Sequence, residues 1–320
     1  MLTASDYRGV YAIIPTPANP GSERLDAVDT INVDESARMV NNLIEAGCTG
    51  LIALGTTGEC ATLLNDDYDL FVRTILDAAA DRVPTFVGTS ALGGQEVVRR
   101  TRLAADAGAQ GILLGLPQWQ VCTDQMAFKF YAGVAELFPK TTIMVYPNTR
   151  AFRYDFSDDF WAECARAIPQ ITSAKFPAAP KLASAQKAAG GKIYFMPHEM
   201  ALPKYMDIAP ETTTSCWATA ASMGPEPVLA IMNAVLEGNL DRMREIDKDL
   251  SWANEPVVPL ITNPDEFGSY NIQMEKLRIN AAGYCDAGPI RPPYDVMPEK
   301  WAEASRECGR RWAEIRKKYL

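Results

Sequence analysis

Short uninterrupted apolar runs recur along the chain, each followed by a longer stretch with apolar residues three and four apart. Runs at 10–14, 51–54, 85–87, 112–114, 142–146 and 171–175 have the composition of strands buried on both faces, and weaker ones lie at 193–196 and 213–217. Residues 35–46, 67–80, 95–107, 124–138 and 158–168 predict the helices between them, with Asp34, Asn65 and Ser157 placed as N-caps of three. Two stretches echo each other. Asp106-Ala107-Gly108-Ala109-Gln110-Gly111 repeats Glu45-Ala46-Gly47-Cys48-Thr49-Gly50: a helix stops at Ala-Gly, two residues follow, and a buried strand begins.

Eight strand–helix units over roughly 230 residues match a (β/α)8 TIM barrel, usually about 250 residues long. A doubly wound open sheet is the structural rival. It would more often announce a glycine-rich turn after its first strand, where this chain has Pro15-Thr16-Pro17. Beyond 225 the pattern is helical only, at 229–237, 240–253, 272–282 and 299–317, with a loop at 255–264 and a stiff linker at 288–294. The expected organisation is a barrel over 1–225. Residues 226–320 then supply the last barrel helix and a helical C-terminal extension of the same domain.

Composition narrows the function. The 320 residues are 48% hydrophobic, enough for a full core, and 31 Lys and Arg against 40 Asp and Glu leave a net charge of −9. An acidic chain without a basic run is a poor partner for nucleic acid or anionic lipid. The single histidine, His198, rules out zinc sites that need two imidazoles. Seven cysteines without a C-x-x-C spacing read as reduced thiols. The N-terminus has no signal-peptide pattern, and no run approaches the ~20 apolar residues of a membrane span. The chain is expected to be cytoplasmic, without a metal.

Catalytic groups of a barrel sit where strands end, and three clusters do so here. Gly55-Thr56-Thr57-Gly58-Glu59 follows the second strand. Its glycines allow a sharp turn with converging N–H groups, and its threonines add hydroxyls, a combination suited to a carboxylate. An ordinary tight turn is the alternative. Tyr146, closing the fifth strand ahead of Pro147 and Asn148, is either a proton carrier or an aromatic cap on the barrel mouth. Lys175 ends the sixth strand. Burial there favours the neutral, nucleophilic amine that forms Schiff bases, unless the side chain simply reaches solvent.

These three clusters, in this order, resemble the pyruvate-dependent class I aldolases, the superfamily of N-acetylneuraminate lyase and dihydrodipicolinate synthase. Finer features are similar to its hydratase-aldolase branch, which acts in bacterial naphthalene and phenanthrene degradation. They are Gly115-Leu116-Pro117-Gln118-Trp119, Pro197-His198-Glu199, Trp217, Tyr270-Asn271-Ile272 and Arg291-Pro292-Pro293-Tyr294. Pro147, rather than Asn, after Tyr146 also fits that branch.

The resemblance implies an aromatic 2-keto acid substrate that is hydrated and cleaved to an aromatic aldehyde and pyruvate. Lys175 would form the imine, Tyr146 would move the proton, and Asn148 would orient the water. Gly55, Thr56 and Thr57 would hold the carboxylate, Trp119 and Trp217 would line the aryl pocket, and His198 would be a polar contact or auxiliary acid. No cofactor is implied, and a homotetramer is expected. The ring substituent is left between two candidates. Asn271 suits an ortho-hydroxyl, as in trans-o-hydroxybenzylidenepyruvate, whereas Arg150 suits the ortho-carboxylate of trans-2'-carboxybenzalpyruvate. More distant alternatives are a sugar-acid lyase, a dihydrodipicolinate-synthase-like enzyme, and a non-catalytic barrel that binds keto acids.

Overall fold

Every predicted strand is present in the computed structural model, which describes residues 1–320. The strands are β1 (Gly9–Ile13), β2 (Gly50–Ala53), β3 (Thr85–Gly88), β4 (Gly111–Leu114), β5 (Thr142–Val145), β6 (Ile171–Lys175), β7 (Tyr194–Met196) and β8 (Ser215–Ala218). All pair in parallel in the order β7-β6-β5-β4-β3-β2-β1-β8. The remaining gap, between β7 and β8, is closed differently at its two ends. At the C-terminal end Trp217 N–H donates to Pro197 O at 2.9 Å. At the other end the Tyr194 hydroxyl accepts from Ser215 N–H at 2.7 Å and donates to Ser215 O at 3.0 Å. The result is a nearly closed (β/α)8 barrel.

Helices alternate with the strands: α1 (Val33–Glu45), α2 (Asn65–Ala79), α3 (Gly94–Asp106), α4 (Asp124–Leu137), α5 (Thr149–Phe152), α6 (Asp158–Ala167), α7 (Leu182–Ala189), α8 (Leu202–Ile208) and α9 (Glu226–Leu236). Ser157 caps α6 as predicted, accepting from Phe160 N–H at 3.1 Å. Two other expected caps are corrected. α1 is capped by Asn32, whose Oδ1 accepts from Glu35 N–H, so Asp34 lies inside the first turn, where its charge complements the helix dipole. Asn65 is the first residue of α2, and Leu64 before it offers no side-chain bond.

Aromatic rings plug the N-terminal end of the barrel. Tyr7 stacks on Tyr194 with centroids 5.4 Å apart and meets Tyr11 at 5.7 Å. Gly50 is required beneath this plug, because a Cβ there would lie 2.4 Å from the Tyr11 ring. The Tyr7 hydroxyl bonds Thr172 Oγ1 at 2.8 Å, a contact worth about 1 kcal/mol. With this end filled, the cavity for chemistry is at the other.

The C-terminal part comprises α10 (Leu240–Asn254), α11 (Val258–Ile261), α12 (Pro264–Ala282) and α13 (Glu299–Arg316). The expected loop at 255–264 is instead a 3-10 turn, Glu255–Val257, running into α11. Its prolines fall in first turns, where a missing N–H costs no hydrogen bond. Likewise α12 starts at Pro264, two turns before the predicted 272. α13 is pinned by the buried Trp312, whose indole N–H donates to Gly224 O at 2.9 Å. No helix is long and apolar enough to cross a membrane.

Candidate active site

β6 carries an irregularity in its pairing with β5: Ile143 faces Ile171 but Met144 faces Ser173, leaving Thr172 as an extra residue. Such a bulge re-aims the strand that follows it, and here it precedes Lys175 by three residues. The Lys175 Nζ lies 3.7 Å from the Trp217 ring centroid and 4.9 Å from that of Tyr146. The amine packs against two aromatic faces at the strand end, and a lysine so placed can reach a carbonyl bound at the barrel mouth.

Tyr146 is buried, its ring edge-on to Phe152. Its hydroxyl shares a hydrogen bond with Thr56 Oγ1 at 2.9 Å and accepts from Asn148 Nδ2 at 3.3 Å. Asn148 also caps the one-turn helix α5, its Oδ1 accepting from Ala151 N–H at 3.2 Å. Both ends of its amide are therefore fixed. The fold joins β2, β5 and the start of α5 at one phenol.

The turn after β2 is bent sharply. Leu54 and Glu59 have φ of 57° and 52°, in the left-handed region that non-glycine residues rarely occupy. A Cβ on Gly58 would lie 2.7 Å from Leu54 N, so the turn doubles back against its own strand. The amides of Thr56, Thr57 and Gly58 donate no backbone hydrogen bond. Three successive free N–H groups lie beside the Thr56 hydroxyl, the kind of donor set that can take an anion.

His198 and Trp217 also meet, ring to ring, with centroids 4.3 Å apart. His198 Nδ1 accepts from Met200 N–H, which leaves the proton on Nε2, 2.9 Å from Glu199 Oε2. Burial opposes ionisation of Glu199, but the adjacent His198 and Arg278 outweigh it and hold the carboxyl below its ordinary value. This pair fixes the imidazole against Trp217. The indole N–H of Trp217 is buried and has no acceptor within the chain.

A cavity of about 310 Å³ opens outward from Thr56 and Asn148. Arg150, Phe267, Asn271, Gln273 and Tyr294 line it. Arg150 lies in α5 rather than in open loop, its guanidinium 4.4 Å above the Phe267 ring, and burial lowers its pKa. Trp119, expected in the aryl pocket, is 78% exposed and outside this lining. Its backbone carbonyl accepts from Arg153, and its side chain is open to solvent. Of the other expected residues, Gly55 lies against Tyr146, a Cβ there being 3.8 Å from the phenol oxygen, and Thr57 is buried next to Thr56. No group of three or more His, Cys, Asp or Glu side chains is arranged to hold a metal ion.

Sequence reasoning overlooked Phe267, Gln273 and Tyr294 as cavity walls. It also overlooked a buried charge cluster beneath the turn. Glu59 Oε2 meets Lys276 Nζ at 2.8 Å and Arg291 Nη1 at 2.6 Å, and all three side chains are nearly or fully enclosed. One signal could have found Lys276: it shares a helix face with Ile272 and Ile279, where a lysine needs a buried partner.

The Dihydrodipicolinate synthetase family model matches residues 22–255. Trans-O-hydroxybenzylidenepyruvate hydratase-aldolase of Pseudomonas aeruginosa is 38% identical over 99% of this chain and 96% of its own. Trans-2'-carboxybenzalpyruvate hydratase-aldolase of Nocardioides sp. (strain KP7) is 35% identical over 100% and 97%. The structure of PhdJ bound to a substrate intermediate superposes with a TM-score of 0.95 at 32% identity, covering 100% of this chain and 99% of that one. The strand-end lysine and tyrosine therefore stand in a shared architecture: the chain belongs to the dihydrodipicolinate synthetase family and is a lyase of the hydratase-aldolase kind.

Proposed function

We propose that this lyase hydrates trans-o-hydroxybenzylidenepyruvate and cleaves the product to salicylaldehyde and pyruvate, carrying the substrate as a Schiff base on Lys175. The observation that carries the reading is the amine of Lys175 between the Tyr146 and Trp217 rings, beside a phenol bonded to Thr56 and Asn148. The amides and hydroxyls of Thr56 and Thr57 hold the keto-acid carboxylate. Lys175 attacks the keto carbon and water leaves, giving an iminium conjugated with the alkene. Water, oriented by Asn148, adds at the aryl-bearing carbon, and a proton goes to the neighbouring carbon.

Tyr146 then takes the new hydroxyl's proton. The carbon–carbon bond breaks, the aldehyde departs, and its electron pair remains as the enamine on Lys175. Protonation and hydrolysis release pyruvate. One water is lost and two are consumed, so the net reaction uses one. The iminium is the electron sink, and the sequence of steps requires no metal or organic cofactor. His198 acts by holding Trp217. In the cell the enzyme is cytoplasmic and homotetrameric, with residues 226–320 part of the barrel's own domain.

A second reading is favoured by Arg150, which lines the cavity and takes part in no ion pair with a carboxylate. Its guanidinium would suit an ortho-carboxylate, as in trans-2'-carboxybenzalpyruvate. The neutral amides of Asn271 and Gln273 line the same cavity and support the hydroxyl. The test is to supply each substrate and follow aldehyde and pyruvate together. Equimolar products, with kcat/KM higher for the hydroxylated substrate, are expected. A preference of about tenfold or more for the carboxylated one, about 1.4 kcal/mol of transition-state binding, selects the second reading. Absence of turnover with both rejects the proposal.

A further inference from the structure

The Glu59 carboxylate is fully buried at the end of the carboxylate-binding turn, and both of its cationic partners come from the far end of the chain. Lys276 lies on α12 and also donates to Pro289 O at 2.6 Å. Arg291 lies in the segment before α13. Its backbone N–H donates to Glu59 Oε1 at 2.8 Å, and its guanidinium bonds Glu59 Oε2, Thr16 O, Thr30 O and Thr30 Oγ1. Thr16 in turn donates from Oγ1 to Gly58 O at 2.7 Å. Asp67 holds Thr30 through its amide and hydroxyl, so two carboxylates and two cations share this interior.

We propose that Lys276 and Arg291 are positioning residues that fix the carboxylate-binding turn through Glu59, so that the C-terminal extension sets affinity for the keto acid. Three observations carry this. First, Glu59 has a strained left-handed backbone at the end of a turn whose amides are otherwise free, and such a conformation persists only where its surroundings over-determine it. Second, the polypeptide is gripped on both sides of the Gly58–Glu59 peptide, at the Gly58 carbonyl by Thr16 and at the Glu59 carboxylate by the two cations. Third, the same elements that grip Glu59 also wall the cavity. α12 contributes Asn271 and Gln273 one turn ahead of Lys276, and Tyr294 follows Arg291 by three residues. The extension thereby ties the carboxylate end of the site to its aryl end.

Fold stability alone gives little reason for these charges. Burying ions is costly, and apolar residues of similar volume often serve a core as well or better. Burial lowers the Lys276 pKa to about 8, a cost that the nearby Glu59 only partly offsets. What the cluster adds is direction: two cationic contacts and a backbone N–H converge on one carboxylate at the end of the nest.

The inference rests on the reading that Thr56 and Thr57 bind the substrate carboxylate, and the test separates the two. Pyruvate is titrated against the wild-type enzyme, Lys276→Met, Glu59→Gln and Thr57→Val at pH 7 with borohydride trapping, giving a half-saturating concentration and a limiting trapping rate. Melting temperature is recorded for each. Lys276→Met and Glu59→Gln are expected to raise the half-saturating pyruvate about tenfold to a hundredfold, the scale of misplacing a binding group by about an ångström. Their limiting rates should stay within about twofold, because Lys175 is untouched. Folded variants whose half-saturation stays near wild type overturn the inference, even if their melting temperatures move. Should Lys276→Met fail to fold, Glu59→Gln decides, since it keeps its shape and its acceptor for Arg291 N–H. If Thr57→Val also leaves half-saturation unchanged, the carboxylate-turn reading itself fails. If Thr57→Val raises it and the other two do not, only the positioning role is lost.

Discussion

Removing the Tyr146 hydroxyl separates proton transfer from imine formation. In Tyr146→Phe the ring keeps its edge contact with Phe152 at a centroid distance of 5.5 Å, and its face remains beside Lys175. Only the hydroxyl's bonds to Thr56 and Asn148 are lost. Those partners are partly exposed, so water can replace the phenol, and the stability cost is about 1 kcal/mol. For a chain of this size that lowers Tm by only a few degrees, roughly 2–4 °C. Catalysis should suffer far more. Loss of a positioned acid–base group typically costs about 10²–10⁴ in rate, which is about 3–5 kcal/mol of barrier. The assay pairs steady-state aldehyde release with borohydride trapping of pyruvate: cleavage should fall by that factor while trapping persists. Cleavage within about tenfold of wild type would refute the proton-carrier role. A parallel loss of trapping would instead move Tyr146 to the imine-forming step.

Asn148→Ser keeps a cap acceptor for α5 while removing the amide donor, so hydration of the alkene should slow more than cleavage of pre-hydrated substrate; equal loss in both steps contradicts the water-orienting role. Arg150→Ala should leave kcat/KM for the hydroxylated substrate within about threefold and reduce it for the carboxylated one by roughly tenfold, in a direct comparison of the two. Lys276 also sets a pH dependence of stability. Its folded pKa of about 8 lies below the ordinary lysine value of 10.5, so between these the unfolded chain binds more protons and stability contributed by this group rises with pH. Thermal unfolding of wild type and Lys276→Met at pH 7.5 and 10 should show the wild type gaining stability relative to the variant as pH rises, and identical pH slopes would contradict it.

The strands were legible because a parallel barrel buries both faces of each, producing short apolar runs that alternate with longer amphipathic stretches. Lys175 and Tyr146 were legible for the same reason, as polar residues ending such runs. The cavity wall was not. Residues 264–271 of α12 are largely exposed or line the cavity, and only Phe267 and Tyr270 pack on the small core of Val257, Leu260, Met274 and Cys308, a stripe too sparse to mark the helix before Ile272. The exposure of Trp119 was not legible, because an aromatic in a loop gives no sign of its direction. The Glu59 cluster joins positions 217 and 232 residues apart, and no local pattern registers such a pairing. The misplaced caps at Asp34 and Asn65 have a smaller cause: several acidic and amide residues crowd each helix start, and only the backbone geometry selects among them.

The central claim, that Lys175 carries the keto acid as an imine, is tested most directly by reducing the protein with borohydride in the presence of pyruvate. Intact mass and peptide mapping then locate the adduct. The account predicts one reduced pyruvyl group per chain, on the peptide containing Lys175, and none in Lys175→Ala, which should fold normally and lose turnover by several orders of magnitude. An adduct on another lysine, or none at all in a folded and active enzyme, would contradict it.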